Sequence, residues 1–382
     1  MRVAIAAGGT GGHIYPALAV ARSLLARPAA PELAWIGGRR GLEAALVPPS
    51  GVRLRRLVVR SLRSPGHDVH LVLDPLRLVA SVPQAAWLFA RRRPDVVFTT
   101  GGYVAIPAMV AARLLRIPIV LWEGNVVPGR SVRATASLAA AVAVTDPGTC
   151  AALAARRCYE TGTPIRDPRA IDHLAARELL GIPARERLLL VFGGSQAVRR
   201  FNAAVAEALP RLLDRCMVLH VTGDDGYADA LAARDGLPEE RRARYRPVPF
   251  LADEMSAALA SADLVVGRAG SSTLAECAAF AVPLVCVPYP HAGGHQRRNA
   301  EAYAATGAAR LIEDAAFDAD ALLQACRLLE DPAAHLAMSA AARSAGRPGA
   351  ADAVAALVVV AAERRPWPAQ AEIAGVAAGT AR

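Results

Sequence analysis

Two stretches of this chain share one pattern: a short uninterrupted apolar run, then a glycine-rich turn, then a helical segment. Residues 2–7 lead into Gly8-Gly9-Thr10-Gly11-Gly12-His13, and residues 188–192 lead into Gly193-Gly194-Ser195. Continuous apolar runs that alternate with helices are typical of the buried parallel strands of a doubly wound α/β sheet. Because the pattern restarts after a Pro/Arg-rich stretch, the chain predicts two Rossmann-like domains facing each other across a cleft. Ligands of such sheets bind at the carboxyl ends of the strands.

The predicted domains span residues 1–163 and 164–345. We expect residues 346–363 to form a helix that packs back on the first domain, and residues 364–382 to be a disordered tail. The apolar runs predict further strands at 33–36, 96–99, 117–121, 141–145, 217–222, 264–266 and 284–287. The longer patterns between them predict helices that include 16–25, 105–115 and 199–213.

Charge and cysteine usage narrow the class of protein. The 44 basic residues are all arginine and outnumber 34 acidic ones, which gives a net charge of +10 and suits a phosphorylated or anionic partner. The six cysteines form no C-x-x-C pair, so we expect reduced core residues and no metal site. The apolar runs are too short for a membrane span, and no signal peptide is recognisable, so the chain is expected to be soluble and cytosolic.

The first glycine loop predicts a diphosphate site, because glycines allow close backbone approach and helix amino termini attract anions. The dinucleotide fingerprint would need a third glycine at Ile14, and no P-loop sequence follows, so NAD or ATP has little support. A purely structural turn is the alternative. His13 ends this loop, either as a general base or phosphate ligand or as an ordinary histidine at a helix start.

Two further segments suit a nucleotide and a sugar. Gly270-Ser271-Ser272-Thr273-Leu274-Ala275-Glu276 opens a helix after a strand, and the Glu276 carboxylate can accept hydrogen bonds from two sugar hydroxyls. Gln296 and Asn299 share one helix face and also suit sugar hydroxyls. The alternatives are a solvated helix glutamate, surface amides, and a Ser195 that only caps the next helix.

Other candidates lie at the rim of the first sheet and on one amphipathic helix. Gly101-Gly102-Tyr103 and Trp122-Glu123-Gly124-Asn125 each follow a strand, and Arg166 lies at the interdomain connection. Residues 71–93 interleave large apolar side chains with arginine and end in three arginines. This pattern fits a helix on an anionic membrane, or equally an amphipathic helix packed on its own sheet.

Together these motifs, over residues 2–359, resemble the MurG-type family. Its members are UDP-N-acetylglucosamine:N-acetylmuramyl-(pentapeptide) pyrophosphoryl-undecaprenol N-acetylglucosamine transferases. The resemblance implies a GT-B fold, and transfer of GlcNAc with inversion from UDP-GlcNAc to the C4 hydroxyl of MurNAc in lipid I, giving lipid II for peptidoglycan synthesis. It implies no cofactor, no metal and no nucleic acid. It also implies a peripheral location on the cytoplasmic face of the bacterial membrane, with an anionic membrane surface and cell-wall and division proteins as partners.

The same resemblance implies roles for individual residues. Asn125 and Gln296 would contact GlcNAc, Arg166 and Ser195 the diphosphate, the Leu251 backbone uracil, and Glu276 the ribose. The catalytic base would be His13 or Glu123. The full implied substrate-binding set is Thr10, Gly11, Gly12, Tyr103, Asn125, Arg166, Ser195, Gln196, Leu251, Ser271, Ser272, Thr273, Leu274, Ala275, Glu276, Gln296 and Asn299. The chain departs from the family at Trp122, Gly124, Ala197, Val198 and His295.

Three other functions stay open at this point. One is a related GT-B enzyme such as a non-hydrolysing UDP-GlcNAc 2-epimerase, which would need no basic and apolar surface. Another is a nicotinamide-dependent oxidoreductase, which the missing third glycine disfavours. The last is a sugar-nucleotide-binding protein without catalysis.

Overall fold

The structure is a computed structural model that describes residues 1–39, 41–59, 70–193, 199–252, 254–290 and 294–380, with residues 70–72 described by their backbone alone. The chain forms two compact units. Unit 1 comprises Met1–Arg166 and Arg347–Arg382, and unit 2 comprises Asp167–Gly346. The chain therefore leaves unit 1 once and later returns to it.

Strands and helices alternate along both units. The strands are β1 (Arg2–Ala6), β2 (Glu32–Gly37), β3 (Arg53–Arg56), β4 (Val96–Thr99), β5 (Ile119–Glu123), β6 (Ala141–Val144), β7 (Cys158–Glu160), β8 (Leu188–Phe192), β9 (Met217–Val221), β10 (Tyr245–Val248), β11 (Leu264–Gly267), β12 (Leu284–Cys286) and β13 (Ala309–Leu311). The helices are α1 (Gly11–Leu25), α2 (Glu43–Leu46), α3 (His70–Arg91), α4 (Ala105–Leu114), α5 (Arg130–Thr135), α6 (His173–Leu180), α7 (Arg199–Leu213), α8 (Asp224–Asp235), α9 (Glu239–Arg242), α10 (Met255–Ser261), α11 (Ser271–Ala279), α12 (His295–Ala305), α13 (Ala319–Cys326), α14 (Pro332–Ala345), α15 (Ala350–Glu363) and α16 (Gln370–Ala378).

Unit 1 is built on a seven-stranded parallel sheet in the order β3-β2-β1-β4-β5-β6-β7. Successive side chains of a strand point to opposite faces, so the apolar strand β1 serves two cores. Val3 and Ile5 pack with α1 and α15 on one face. Ala4 and Ala6 pack with residues of α3 and α4 on the other. Both faces are covered, as a parallel sheet requires.

Unit 2 repeats this design with six parallel strands in the order β10-β9-β8-β11-β12-β13. Leu189 and Val191 of β8 face the core made with α7 and α13. Leu190 and Phe192 face the core made with α11 and α12. The doubly wound architecture predicted from the apolar runs is confirmed in each unit.

The C-terminal tail was predicted to be disordered, and this prediction is wrong. Residues 370–378 form α16, in which Ile373 and Ala377 are buried in the core of unit 1. Ahead of it, Trp367 stacks on Tyr159 of β7, whose hydroxyl donates to the Pro368 carbonyl at 3.1 Å. Among the small residues of the tail, Ile373 and Ala377 lie one helical turn apart and pack α16 against this core, with Val376 and Trp367 beside them.

The expectation of six reduced cysteines is also wrong for one pair. Cys150 and Cys158 form a disulfide, with Cα atoms 5.9 Å apart. Cys150 lies in a 3₁₀ segment, Pro147–Ala152, that folds back beside the start of β7, so eight residues of separation still bring the sulfurs together. The four other cysteines are free and buried. Among the described residues, no group of three or more His, Cys, Asp or Glu side chains could hold a metal ion.

Candidate functional site

The strand order places the candidate residues at the point where each sheet reverses its winding. In unit 1 the order reverses between β1 and β4, and in unit 2 between β8 and β11. Loops that follow such neighbouring strands leave the sheet in opposite directions and open a crevice at the carboxyl edge. The loops after β1, β4, β5 and β11 carry most of the candidate residues.

The first glycine loop runs from β1 into α1. Thr10 caps the helix with extended backbone, and its carbonyl accepts from the amides of His13 at 3.1 Å and Ile14 at 3.2 Å. The amides of Gly11 and Gly12 precede these bonds, so they have no partner within the helix. Both glycines are at least partly accessible. The loop therefore presents amides and a helix amino terminus to an anion.

Glu43 holds this loop and was not recognised from the sequence. Its side chain is fully buried, one carboxylate oxygen accepts from the Gly9 amide at 3.0 Å, and the other accepts from the Gly38 amide at 2.8 Å. A Cβ on Gly8 would lie 2.7 Å from that carboxylate, so glycine is required there. In the sequence, Glu43 appears only as a single glutamate that follows Gly37, Gly38 and Gly41, which is not a recognisable binding motif.

Tyr103 closes the other side of the loop. Gly9 has a φ of +93°, and a Cβ there would lie 2.9 Å from the tyrosine ring. Burial, together with the nearby charge of Glu43, raises the pKa of Tyr103 to about 12. The phenol therefore stays neutral, and the loop is fixed between a buried carboxylate and an aromatic ring.

His13 is held in one tautomer. Its Nδ1 lies 2.8 Å from the Thr100 carbonyl, and the Thr100 hydroxyl donates to the His13 carbonyl at 2.9 Å. Because a carbonyl only accepts, Nδ1 carries the proton, and Nε2 of the neutral ring is left as a proton acceptor. These two bonds join the loops after β1 and β4 across the switch point.

Glu123 is the other candidate base, and its carboxylate is occupied within its own loop. One oxygen accepts from the backbone and side-chain amides of Asn125, both at 2.9 Å, and the other accepts from the Gly129 amide at 2.9 Å. Glu123 is buried, whereas Asn125 is partly exposed. Thr149 donates to the carbonyls of Asn125 and Val126 and tightens the same turn. Glu123 therefore positions Asn125.

Trp122, where this chain departs from the family, does not belong to the site. Its side chain is buried in the core on the face of α1 and α15, and its indole donates to the Gly162 carbonyl at 3.0 Å. The departure from the family at position 122 therefore lies in the core of unit 1.

In unit 2, α11 begins directly after β11 and presents its amino terminus. Gly270 is the N-cap, and the first helical bond runs from the Leu274 amide to the Gly270 carbonyl at 3.1 Å. The amides of Ser271, Ser272 and Thr273 thus precede the helical ladder. The Ser272 hydroxyl is buried with no hydrogen-bond partner among the described residues. Leu274, a predicted substrate contact, packs its side chain in the core.

The two predicted amide side chains on α12, Asn299 and Gln296, form different hydrogen bonds. Asn299 is buried and donates to the Ala269 carbonyl at 3.4 Å, so it supports the backbone ahead of α11. The side-chain oxygen of Gln296, Oε1, accepts from the Tyr289 amide at 2.9 Å, and the side chain is partly exposed. Ala275 and Glu276 are both partly exposed.

Arg268, between β11 and α11, was not recognised from the sequence. It is buried, bonds to Asp314 at 2.5 Å, and lies over the rings of Phe201 and Tyr289. A lone arginine in a small-residue segment carries no signal for such a role. Arg268 therefore anchors the short segment that leads from β11 into α11.

Four predicted binding residues remain: Leu251, Arg166, Ser195 and Gln196. Leu251 lines a cavity of about 340 Å³ in unit 2, together with the exposed Phe250. Arg166 is the last residue of the first segment of unit 1. Ser195 and Gln196, like the departures at Ala197 and Val198, lie outside the described residues. The roles of these residues stay predictions.

Comparison with known proteins identifies the family. The model of the glycosyltransferase family 28 N-terminal domain matches residues 3–144, and that of the C-terminal domain matches residues 188–354. A Moorella thermoacetica protein named UDP-N-acetylglucosamine–N-acetylmuramyl-(pentapeptide) pyrophosphoryl-undecaprenol N-acetylglucosamine transferase is 40% identical, over 94% of this chain and 98% of its own. A Syntrophotalea carbinolica protein of the same name is 38% identical, over 92% of this chain and 96% of its own. The crystal structure of Acinetobacter baumannii MurG matches with a TM-score of 0.73 at 28% identity, covering 94% of this chain and 99% of that chain.

These matches confirm the expected two-domain GT-B fold and exclude the nicotinamide-dependent oxidoreductase. The two family models follow each other in the order of the two sheets, and the relatives align over nearly their whole length. The chain belongs to glycosyltransferase family 28, among the UDP-N-acetylglucosamine–N-acetylmuramyl-(pentapeptide) pyrophosphoryl-undecaprenol N-acetylglucosamine transferases.

Proposed function

We propose that this protein transfers GlcNAc from UDP-GlcNAc to the C4 hydroxyl of MurNAc in lipid I, the undecaprenyl-diphosphate-linked acceptor. The observation that carries the proposal is the full-length similarity to transferases of that name. It is supported by the two helix amino termini at the switch points, which suit a diphosphate donor and a diphosphate-linked acceptor.

Unit 2 binds the donor in this proposal. The amides of Ser271, Ser272 and Thr273, with the unpartnered Ser272 hydroxyl, bind a phosphate oxygen of UDP. Such fixed dipoles stabilise the charge that develops on the leaving diphosphate without a metal ion. Glu276, about a turn and a half into α11, accepts from the ribose hydroxyls, and the NH₂ group of Gln296, whose Oε1 is held by the Tyr289 amide, donates to GlcNAc.

Unit 1 binds the acceptor and supplies the base. The Gly11 and Gly12 amides bind an acceptor phosphate, and Asn125, positioned by Glu123, contacts a sugar. His13 is the base, because its hydrogen bond to the Thr100 carbonyl keeps the proton on Nδ1 and leaves Nε2 as a proton acceptor. Glu123 has both oxygens occupied and is a positioning residue.

The reaction is a single displacement. The C4 hydroxyl oxygen of MurNAc forms a bond to the anomeric carbon of GlcNAc, and the bond from that carbon to the β-phosphate oxygen breaks. The electron pair leaves with UDP, and the hydroxyl proton moves to Nε2 of His13. One displacement inverts the anomeric configuration.

The decisive experiment uses radiolabelled UDP-GlcNAc with and without a lipid I analogue. We expect a labelled disaccharide-linked lipid and UDP only when both substrates are present. Conversion of UDP-GlcNAc to UDP-N-acetylmannosamine without acceptor would establish the epimerase instead. Calorimetric binding of UDP-GlcNAc with no turnover of either kind would establish a binding protein.

We also propose that the protein works as a peripheral protein at an anionic membrane surface, through α3. Exposed apolar side chains recur every three or four residues along this helix, at Leu76, Val79, Pro83 and Trp87. Arg91 follows, with its guanidinium 4.6 Å above the Trp87 ring. An apolar stripe with arginines at its end suits insertion among lipid headgroups.

A span through the membrane has weaker support. Residues 332–363 are long and apolar enough for one, with a mean hydropathy of 1.4. However, this stretch is divided into α14 and α15 at residues 346–349, and 56% of its most apolar window is buried in the protein. The helices α14 and α15 also belong to different units. We therefore assign these helices to the protein cores.

A further inference from the structure

The disulfide between Cys150 and Cys158 is connected to the loop that carries Asn125. Thr149 directly precedes Cys150 and is buried, and its hydroxyl donates to the carbonyls of Asn125 at 3.2 Å and Val126 at 3.0 Å. These bonds join the segment after β6 to the loop after the neighbouring strand β5. Thr149 therefore ties the Asn125 turn to a segment that the disulfide closes.

The disulfide constrains a segment that has few buried contacts of its own. Between the two cysteines only Leu153 is buried, and residues 151, 152, 154, 156 and 157 are exposed. Segments with few buried apolar contacts open at a low cost in free energy, and a cross-link restricts the open states. Without the disulfide, this segment becomes less ordered, and the Thr149 hydroxyl at its start is held less firmly.

A reductant can reach this disulfide. Cys150 and Cys158 are partly exposed, whereas the four other cysteines are buried. Arg156 and Arg157 precede Cys158 in the chain, and nearby positive charge stabilises the thiolate that leaves when a disulfide is attacked. Exposed disulfides are in general the labile or regulatory ones, whereas buried ones resist reduction.

We propose that Thr149 is a positioning residue for Asn125, and that reduction of the Cys150–Cys158 disulfide weakens acceptor binding through it. A dithiol reductant supplies two electrons and two protons: the S–S bond breaks, both cysteines become thiols, and the reductant becomes a disulfide. The oxidised protein keeps the Asn125 turn ordered, and the reduced protein loosens it. The proposal rests on the proposed function in one respect, that Asn125 contacts a sugar of the acceptor.

The first test compares full-length protein oxidised with glutathione disulfide and reduced with dithiothreitol, with thiol labelling to confirm the state of Cys150 and Cys158. We expect reduction to raise the KM for a lipid I analogue about 2–10-fold, the effect of one neutral hydrogen bond, with little change in kcat or donor KM. The double variant C150S/C158S should have the higher KM and no response to the reductant. An acceptor KM that is the same in oxidised and reduced protein would overturn the proposal.

The second test removes the Thr149 hydroxyl while the disulfide stays intact. T149V, which keeps the shape of the side chain, should raise the acceptor KM as much as reduction does, and T149S should retain the value of the oxidised protein. Reduction of T149V should have no further effect, because both changes break the same connection. A full additional effect of reduction in T149V would show that the disulfide does not act through Thr149.

The matched control is T222V in unit 2. Thr222 is also buried, and its hydroxyl also donates to two carbonyls, those of Gly223 and Val248. T222V should keep the acceptor KM of the unmodified protein and its response to reduction. An equal rise of the acceptor KM in T222V and T149V would contradict a specific role of Thr149.

Hydrogen–deuterium exchange separates this inference from the proposed function. Reduction and T149V should each speed exchange in peptides that cover residues 123–129, whether or not the protein transfers GlcNAc, because the Asn125 and Gly129 amides depend on the order of this turn. Faster exchange without any transfer would refute the proposed function and support the role of Thr149. Unchanged exchange in both cases would refute the role of Thr149, even in an active enzyme.

Discussion

At the scale of single residues, hydrogen bonds separate two candidate bases that the sequence could not rank. We expect His13→Ala to lower kcat by about 10²–10⁴-fold with little change in donor KM, since general-base catalysis contributes about that factor. Glu123→Gln should mainly raise the acceptor KM, because one amide oxygen cannot accept from both Asn125 and Gly129. The pH–rate profile checks the assignment: the acidic limb should persist in Glu123→Gln and disappear in His13→Ala. The reverse pattern would make Glu123 the base.

Glu43 should be the residue of the glycine loop most sensitive to change. Glu43→Ala leaves the amides of Gly9 and Gly38 without their acceptor, at a cost of about 1.5–3 kcal/mol for each charged hydrogen bond. All four tryptophans lie in unit 1, so urea unfolding followed by tryptophan fluorescence measures the stability of this unit. The control is Glu32→Ala, which removes an exposed ion pair with Arg92 and should cost less than about 1 kcal/mol. Equal losses would contradict the role of Glu43.

Glu276 is the proposed ribose contact, and it can be tested by binding alone. Glu276→Ala should weaken UDP binding by about 10–100-fold, equivalent to about 1.5–3 kcal/mol from one charged hydrogen bond. Glu301→Ala on α12 is the matched control, because Glu301 forms only exposed ion pairs with Arg297 and Arg298. Calorimetry with UDP measures both variants. An unchanged affinity in Glu276→Ala would remove this residue from the site.

At the scale of elements, α3 and the arginines at its end should contribute to membrane binding in two separable ways, by apolar insertion and by electrostatic attraction. Replacing Val79 and Trp87 by serine should reduce the binding to phosphatidylglycerol vesicles that survives high salt, because it removes exposed apolar area. Replacing Arg91 and Arg92 by glutamine should reduce the part that salt screens. Vesicle sedimentation at low and high salt measures both terms. Serine at the equally exposed Leu174 and Leu336 of unit 2 is the control and should have no effect.

The elements also show what the sequence could and could not predict. Nine strands were recognised, and the four missed are the two edges of each sheet, β3, β7, β10 and β13. A central strand is buried on both faces and reads as an unbroken apolar run, whereas an edge strand tolerates arginine, as in β3, or proline, as in β10. The candidate site likewise contains residues that the sequence predicted and residues that it did not. Loops that present backbone amides leave a glycine pattern, while Glu43 and Arg268 act through tertiary contacts that no local pattern records.

At the scale of the whole molecule, the C-terminal tail should be part of the stability of unit 1. Deleting residues 366–382 uncovers Tyr159 and the surface on which Ile373 packs, and burial of one such side chain contributes about 1.5–3 kcal/mol. We expect a fall of at least that size in the unfolding free energy from tryptophan fluorescence, after correction for the lost Trp367 signal. Deleting only residues 379–382 keeps α16 and should leave stability unchanged. Equal stability of both truncations would show that the helix contributes nothing.

The return of the chain to unit 1 has a consequence for biosynthesis. Val354, Leu357 and Val358 of α15 complete the core beside β1 and α1, yet they are translated after the whole of unit 2. On the ribosome, unit 2 is continuous and can fold as soon as it emerges, while the older part of unit 1 still lacks the part of its core that α15 covers. Order of synthesis and order of folding are thus reversed between the two halves. The nascent chain should depend on a holdase chaperone at unit 1 until the last few dozen residues leave the exit tunnel.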